Sequence, residues 1–431
     1  MNWILAAAVL VAIYLAAARY IHSRGIWGDR ITFYGPIMAI RTTRVDLLDR
    51  FQRFSRFFRI YGTIGIGVVV LVSVLITVML LVSVGATLIM QPEPTGIYEP
   101  RNILLIPGIN QFIPSTAAVW LAFVLTIAIH EFGHGILCRV EGFRVKAMGV
   151  LLAVIPIGFF VEPDEDEVEA ARTLPKIRMY GAGITNNIVA GGVCLVVLLL
   201  LLGMAIPLPV PFIAGVYDGS PAARANVPPD SLILEINGIP VDTRDEVTAI
   251  MSTTSPGDRV SLLLKTDSET QSATVTLGHW PESFTDHPDA GFMGIYYYDA
   301  PMVRETFGRL ATPLGLLQLL ILPFDTSVSG QLLGVIAFDS DALVAWAEPF
   351  AGYWELVHLF FWCGWISTNV GIFNALPMVP LDGGLILREG ATRLLDRAGL
   401  ARYAPHVVGS ISWIVLFMLI SLIALPYLLR F

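Results

Sequence analysis

The stretch AAVWLAFVLTIAIHEFGHGILCRV, residues 117–140, decides how the chain is read. It stays apolar for long enough to cross a bilayer as a helix, which takes about 20 residues. Its second half nevertheless carries His130, Glu131 and His134, within little more than one helical turn. Ionisable side chains are expensive inside an apolar span and are kept there for function.

At 3.6 residues per turn His130 and His134 share a helix face, so both imidazoles can hold one divalent metal, zinc being the usual one. Glu131 is turned from that face by about 100°. That is out of place for a third ligand but within reach of a water activated by the metal, the HExxH arrangement of metalloproteases. The alternative is a buried helix whose histidines hydrogen-bond to its neighbours, and the desolvation cost in an apolar span weighs against it. Cys138, four residues beyond His134 on the same face, reads as a small buried hydrophobe rather than a ligand.

Composition sets the frame. Of 431 residues 55% are hydrophobic and 14% charged, and the mean hydropathy is +0.69. This is a polytopic membrane protein with one modest soluble portion. The net charge of −8 leaves no basic soluble domain to track phosphates, which excludes nucleic acid as an expected partner. Cys138, Cys194 and Cys363 all lie in apolar stretches and offer no disulfide framework.

Working outward, NWILAAAVLVAIYLAAA opens the chain as a first apolar helix, with positive charge after it rather than before, unlike a cleaved signal peptide. The arginine-rich segment 19–59 is then cytosolic by the positive-inside rule. Residues 61–90 cross back, QPEPTGIYEP is an external loop, and the HEFGH helix returns with its metal site toward the cytosolic side. VLLAVIPIGFFV is too short to span and reads as a re-entrant or interfacial segment. The run from Asp164 to Glu167 lacks ion-loop spacing and reads as a solvated acidic loop. A fourth crossing at 179–207 carries Asn186 and Asn187, able to bond a neighbouring helix or a substrate backbone. Residues 211–280 alternate short β-rich runs with Gly, Pro and Asp turns around one helical run, a compact soluble domain. The short apolar runs of 281–353 are assigned to the outer interface, and crossings at 354–377 and 412–429 complete the set.

The crossing at 354–377 ends in NALPMVPLDGG. Pro377 and Pro380 stop the helix, and the glycines after Asp382 allow a tight turn. Asp382 is thus presented from irregular backbone at about the depth of His130 and His134, and supplies the oxygen ligand that a two-histidine zinc site lacks. The alternative is an aspartate capping a cytosolic turn. His358, about 24 Å back along the same helix from Asn374, is too far away to join them.

HEFGH in one apolar helix, a later NALPMVPLDGG, GFFVEPDEDE and an insert containing GSPAARANVPPDSLILEINGIPV together resemble the site-2 protease family of intramembrane zinc metalloproteases, of archaeal type. The resemblance implies His130, His134 and Asp382 as ligands of one zinc per chain, with Glu131 as catalytic base. It implies Asn374 and Asn187 as substrate-binding residues, and a PDZ-like insert. Ile184 stands where the family often has proline. The implied substrate is a transmembrane protein cut within the bilayer.

The expected fold is an all-α polytopic membrane protein of about six transmembrane helices with an inserted extracytoplasmic α+β PDZ-like domain, both chain termini lying outside. The expected divisions are residues 1–115, with two crossings and the basic loop; 116–210, the first half of the protease core; 211–280, the PDZ-like domain; 281–353, a connector; and 354–431, the second half of the core. Competing readings are a membrane protease of prenylated proteins, disfavoured because it would take a glutamate as third ligand; a metal-binding transporter, which has no need of Glu131; and a catalytically silent scaffold.

Overall fold

The computed structural model describes residues 3–28, 30–103, 105–282, 284, 289–325 and 327–429. The chain divides into two compact units, 1–194 with 363–431, and 195–362. The first unit opens with helix α1 (Trp3–Arg24); Asn2, the first residue of the expected first crossing, lies outside the described residues. Strands β1 (Ile31–Tyr34) and β2 (Ile37–Thr42), the short α2 (Asp46–Asp49) and the long α3 (Ser55–Met90) follow. Helix α4 (Ala117–Glu141) carries HEFGH. Thr116 caps its N-terminus by accepting from Val119 N, and Gly142 ends it at φ 94°, a conformation that suits glycine.

After α4 the structure departs from expectation. The apolar segment is a hairpin, β3 (Val145–Ala153) and β4 (Ile155–Pro163), and it joins β1 and β2 in an antiparallel sheet of order β1-β2-β3-β4. The membrane unit is therefore not all-α. Gly149 makes the packing possible: a Cβ there would lie 2.1 Å from Ile40 O and 2.7 Å from the Phe160 ring. Tyr14 ties α1 to this sheet by donating to Leu152 O at 2.7 Å. Asp164 caps α5 (Glu165–Ala170) and pairs with Arg144, so the acidic run is anchored rather than freely solvated. The Arg144 guanidinium, hydrogen-bonded to Asp164, holds that carboxyl below the usual carboxylate range.

Helix α6 (Thr173–Leu202) returns along α4. Glu141, at the end of α4, pairs with Arg178 of α6 at 3.0 Å and with Arg59 of α3 at 3.6 Å, gathering three helix ends.

The second unit takes in the last turns of α6 from residue 195, continues with β5 (Ile206–Pro207) and builds a sheet from β6 (Phe212–Val216), β7 (Ser231–Ile236), β9 (Arg259–Lys265), β10 (Thr270–Thr276) and β11 (Ile295–Tyr298), with α7 (Pro221–Arg224), β8 (Ile239–Pro240) and α8 (Arg244–Ser252) between them. The order is β10-β9-β7-β6-β11, with β8 on β7. Ile213, Ile233, Leu264 and Val275 are fully buried at its core. The closing strand β11 lies beyond the expected boundary at residue 280, because its partner β6 is some 80 residues earlier in the chain. Helices α9 (Ala300–Arg309) and α10 (Pro313–Ile321) are bent against each other by 99°, taking α10 with its extension to Phe324. After α11 (Val328–Leu333), β12 (Trp346–Ala347) pairs with β5.

Helix α12 (Tyr353–Asn374) begins in the second unit; its part from residue 363, with the amphipathic α13 (Asp382–Arg397) and α14 (Ala404–Leu428), completes the first unit. Among the described residues five helical segments are long and apolar enough to cross a membrane, up to six if the bent pair counts as one span. These are the proportions of a multi-pass membrane protein.

Candidate metal centre

Helices α4 and α6 approach closely because small residues face each other. A Cβ on Gly133 would lie 2.7 Å from Ala182 O, and one on Gly183 would lie 2.4 Å from His134 Nε2 and 2.7 Å from His130 Nε2. Gly383 and Gly384 do the same where α13 begins: Cβ atoms there would lie 2.3 Å from Ala375 O and 2.3 Å from Met378 C. The LDGG turn thus folds back on the end of α12 and delivers Asp382 to the two histidines.

Three ligand atoms meet. His130 Nε2 and His134 Nε2 are 3.1 Å apart, and Asp382 Oδ2 lies 3.1 Å from the first and 3.2 Å from the second. A tetrahedral zinc with ligands at about 2.0–2.1 Å spaces them about 3.3 Å apart, so this near-equilateral triangle has the right size and chemistry to hold the ion. Asp382 Oδ2 is buried with no hydrogen-bond partner among the described residues, which is costly unless a cation completes the site. His134 Nδ1 lies 2.8 Å from Met179 O, an acceptor only, so it carries the proton and leaves Nε2 free for a metal.

Glu131 stands apart from the triangle, as its helical offset predicts, yet lines the same cavity of about 340 Å³. Its Oε2 accepts from Val161 N at 3.2 Å, so the edge strand β4 fixes the carboxylate. Asn374 also lines the cavity, its amide donating to Val370 O at 3.1 Å. Asn187 is fully buried, its amide 3.2 Å from His130 Nδ1. Asn186 joins helices, donating to Ile129 O at 3.1 Å and accepting from Tyr61 at 2.8 Å. Cys138 lines the cavity outside the triangle, and His358 bonds Val335 O at 3.0 Å. Sequence reasoning missed Met179, Gly183 and Val161. The first and last act through the backbone and leave no side-chain signal, and Gly183 was legible only as one of several small residues suited to helix packing.

The sequence model of peptidase family M50 matches residues 118–419, from the start of the HEFGH helix into α14. The chain is 28% identical over 151 residues to a membrane-bound transcription factor site-2 protease homolog of Arabidopsis thaliana, covering 34% of this chain and 28% of that one. It is 26% identical over 269 residues to the zinc metalloprotease RasP of Geobacillus kaustophilus, 58% of each. An uncharacterized protein of Methanocaldococcus jannaschii is 21% identical over 287 residues, 65% of this chain and 60% of that one. The matches thus span less than two thirds of each of these three relatives.

Proposed function

This chain belongs to peptidase family M50 and is a metalloprotease, and from that premise we propose that it hydrolyses peptide bonds within or near transmembrane segments of membrane proteins. In this reading one zinc per chain is held by His130 Nε2, His134 Nε2 and Asp382 Oδ2. The observation that carries it is the 3.1–3.2 Å triangle of these atoms inside a bundle of apolar helices.

Bound zinc supplies Lewis acidity and lowers the pKa of a water to about 7. Glu131, off the triangle but in the same cavity, takes the proton of the attacking water and later gives it to the leaving amine. Val161 N holds the carboxylate in place for both transfers. Asn374 offers an amide to a substrate strand in the cavity. A helical substrate hides its own peptide groups, so it unwinds locally before attack.

The reading extends to topology: six crossings, both termini outside, and the centre toward the cytosolic side, with the lipid bilayer and the substrate helix as partners. The 211–280 insert, extended to β11, is read as PDZ-like. Supporting this, α8 and the edge strand β11 flank a cavity of about 380 Å³, and a glycine-bounded loop, Gly291 to Gly294, leads into β11. The test is metal content: about one zinc per purified chain, lowered in both His134→Ala and Asp382→Ala together with loss of cleavage of a model transmembrane substrate. Full zinc in both variants refutes the assignment.

A further inference from the structure

We infer that Asn187 is a positioning residue for His130, with its side-chain carbonyl oxygen facing the imidazole, rather than a substrate contact; the inference rests on the metal reading above. Neutral imidazole has one N–H and one lone pair. Zinc takes the lone pair of Nε2, so the proton must sit on Nδ1, and a metal-ligating histidine usually donates that proton to a fixed acceptor. His134 meets this condition through Met179 O at 2.8 Å. His130 has Asn187 on its Nδ1 instead, with amide Nδ2 at 3.2 Å and the amide oxygen buried with no partner among the described residues.

An amide nitrogen only donates. Against a lone pair on Nδ1 it would force the His130 proton onto Nε2, the atom 3.1 Å from both His134 Nε2 and Asp382 Oδ2. That tautomer closes the metal site. The oxygen and nitrogen of an amide exchange places by a half-turn of the terminal torsion at almost no steric cost. Turned so, Oδ1 accepts from Nδ1–H of His130, and both site histidines present Nε2 lone pairs. In the orientation present the oxygen arm has no partner among the described residues, so nothing on that side opposes the half-turn and the imidazole decides.

Two further observations separate this role from substrate binding. Asn187 is 0% exposed. Helix α12 closes over it at Gly371, where an added Cβ would lie 3.3 Å from Asn187 Cβ and 3.1 Å from Ile188 Cγ1. The pairs along the interface, His134 with Met179 and His130 with Asn187, also run in opposite sequence directions, as on two antiparallel helices. One helix therefore orients both nitrogen ligands that the other supplies.

The experiment uses full-length protein in detergent or liposomes, with zinc affinity read by competition against a chromophoric chelator and kcat and KM read on a model transmembrane substrate. Asn187→Leu removes the acceptor and is expected to lower zinc affinity by about 10–100-fold. Asn187→Asp restores an acceptor and should stay close to wild type, with KM unchanged in both. Unaltered zinc affinity in Asn187→Leu overturns the inference, as does a rise in KM alone. An Asn187→Asp variant as weak as Asn187→Leu overturns the orientation. Should Asn187→Leu fail to fold, histidine-labelled 15N spectra of the zinc-loaded wild type decide: protons on Nδ1 of both site imidazoles are expected, and one on Nε2 of His130 refutes. His134→Ala is the control. Zinc retained there would sink the metal reading itself, whereas zinc lost there but kept in Asn187→Leu sinks only this inference.

Discussion

Replacing Gly183 by alanine tests the metal centre with a single methyl group. The new Cβ would lie 2.4 Å from His134 Nε2, 2.6 Å from His130 Cε1 and 2.7 Å from His130 Nε2. Ordinary contact begins at 3.4 Å, so the His134 ring must retreat by about 1.0 Å, the difference between 3.4 and 2.4 Å. Metal–ligand distances tolerate about 0.2 Å, so the displaced ring no longer serves as a ligand. Zinc affinity should fall by at least ~100-fold, beyond what loss of an outer-shell partner usually costs. Helix propensity pulls the other way, since alanine is favoured over glycine by roughly 0.5–1 kcal/mol in a helix. Gly192 of the same helix isolates that effect, because a Cβ there meets nothing within 4 Å. Zinc content after dialysis against a chelator, with circular dichroism to monitor the helices, should show Gly183→Ala folded and metal-poor and Gly192→Ala indistinguishable from wild type. Wild-type zinc occupancy in Gly183→Ala would refute the reasoning, because the imidazoles could not then be where the structure has them.

Glu131→Gln keeps size and polarity but removes the base, so zinc should be retained while turnover falls by at least ~100-fold; near-normal turnover would favour a transporter or scaffold reading. The Asp164 carboxyl is held below its usual range by Arg144, so its contribution to stability is present above the unfolded carboxylate pKa and lost as pH falls through and below it. The unfolding temperature of the wild type should therefore fall as pH falls from about 5 toward 3, and Asp164→Asn should show a shallower dependence; identical slopes would remove Asp164 from that account.

The grouping of the candidate site residues was more legible in the sequence than the fold that surrounds them. His130 and His134 are local, and helical geometry alone aligns them. Asp382 could be placed because proline and glycine punctuation forces irregular backbone after an apolar helix. The four-stranded sheet escaped for two physical reasons. Strands β3 and β4 are nearly continuous apolar runs without period-two alternation, and β2 meets β3 across roughly a hundred residues of chain, Met38 opposite Leu152. The insert's boundary failed similarly, since nothing local in IYYY announces that it closes a sheet begun at Phe212. Asn187 shows the remaining gap: a buried asparagine can serve packing or a substrate, and its 3.2 Å distance to His130 Nδ1 and its complete burial are visible only in the structure.

In the proposed metal centre α6 positions the candidate ligands of two other elements while contributing none of the three itself. Helix α4 brings two nitrogens and α13 one oxygen, and these come from positions about 250 residues apart. Something common to both must set their separation to within tenths of an ångström. Helix α6 does so from both sides. Toward α4 it offers Met179 O and Asn187 to the imidazoles and, at Gly183, the absence of a side chain that would collide with them. Toward α13 it offers Lys176, paired with Glu389 at 3.0 Å, each side chain only 13% exposed. A pair so sheltered is costly to break, because either partner would be left charged and poorly solvated. Glu389 lies seven residues after Asp382, close to two turns along α13, so the ion pair restrains the rotation of the helix that begins with Asp382. The geometry of the triangle is therefore a property of α6 as much as of the residues that form it.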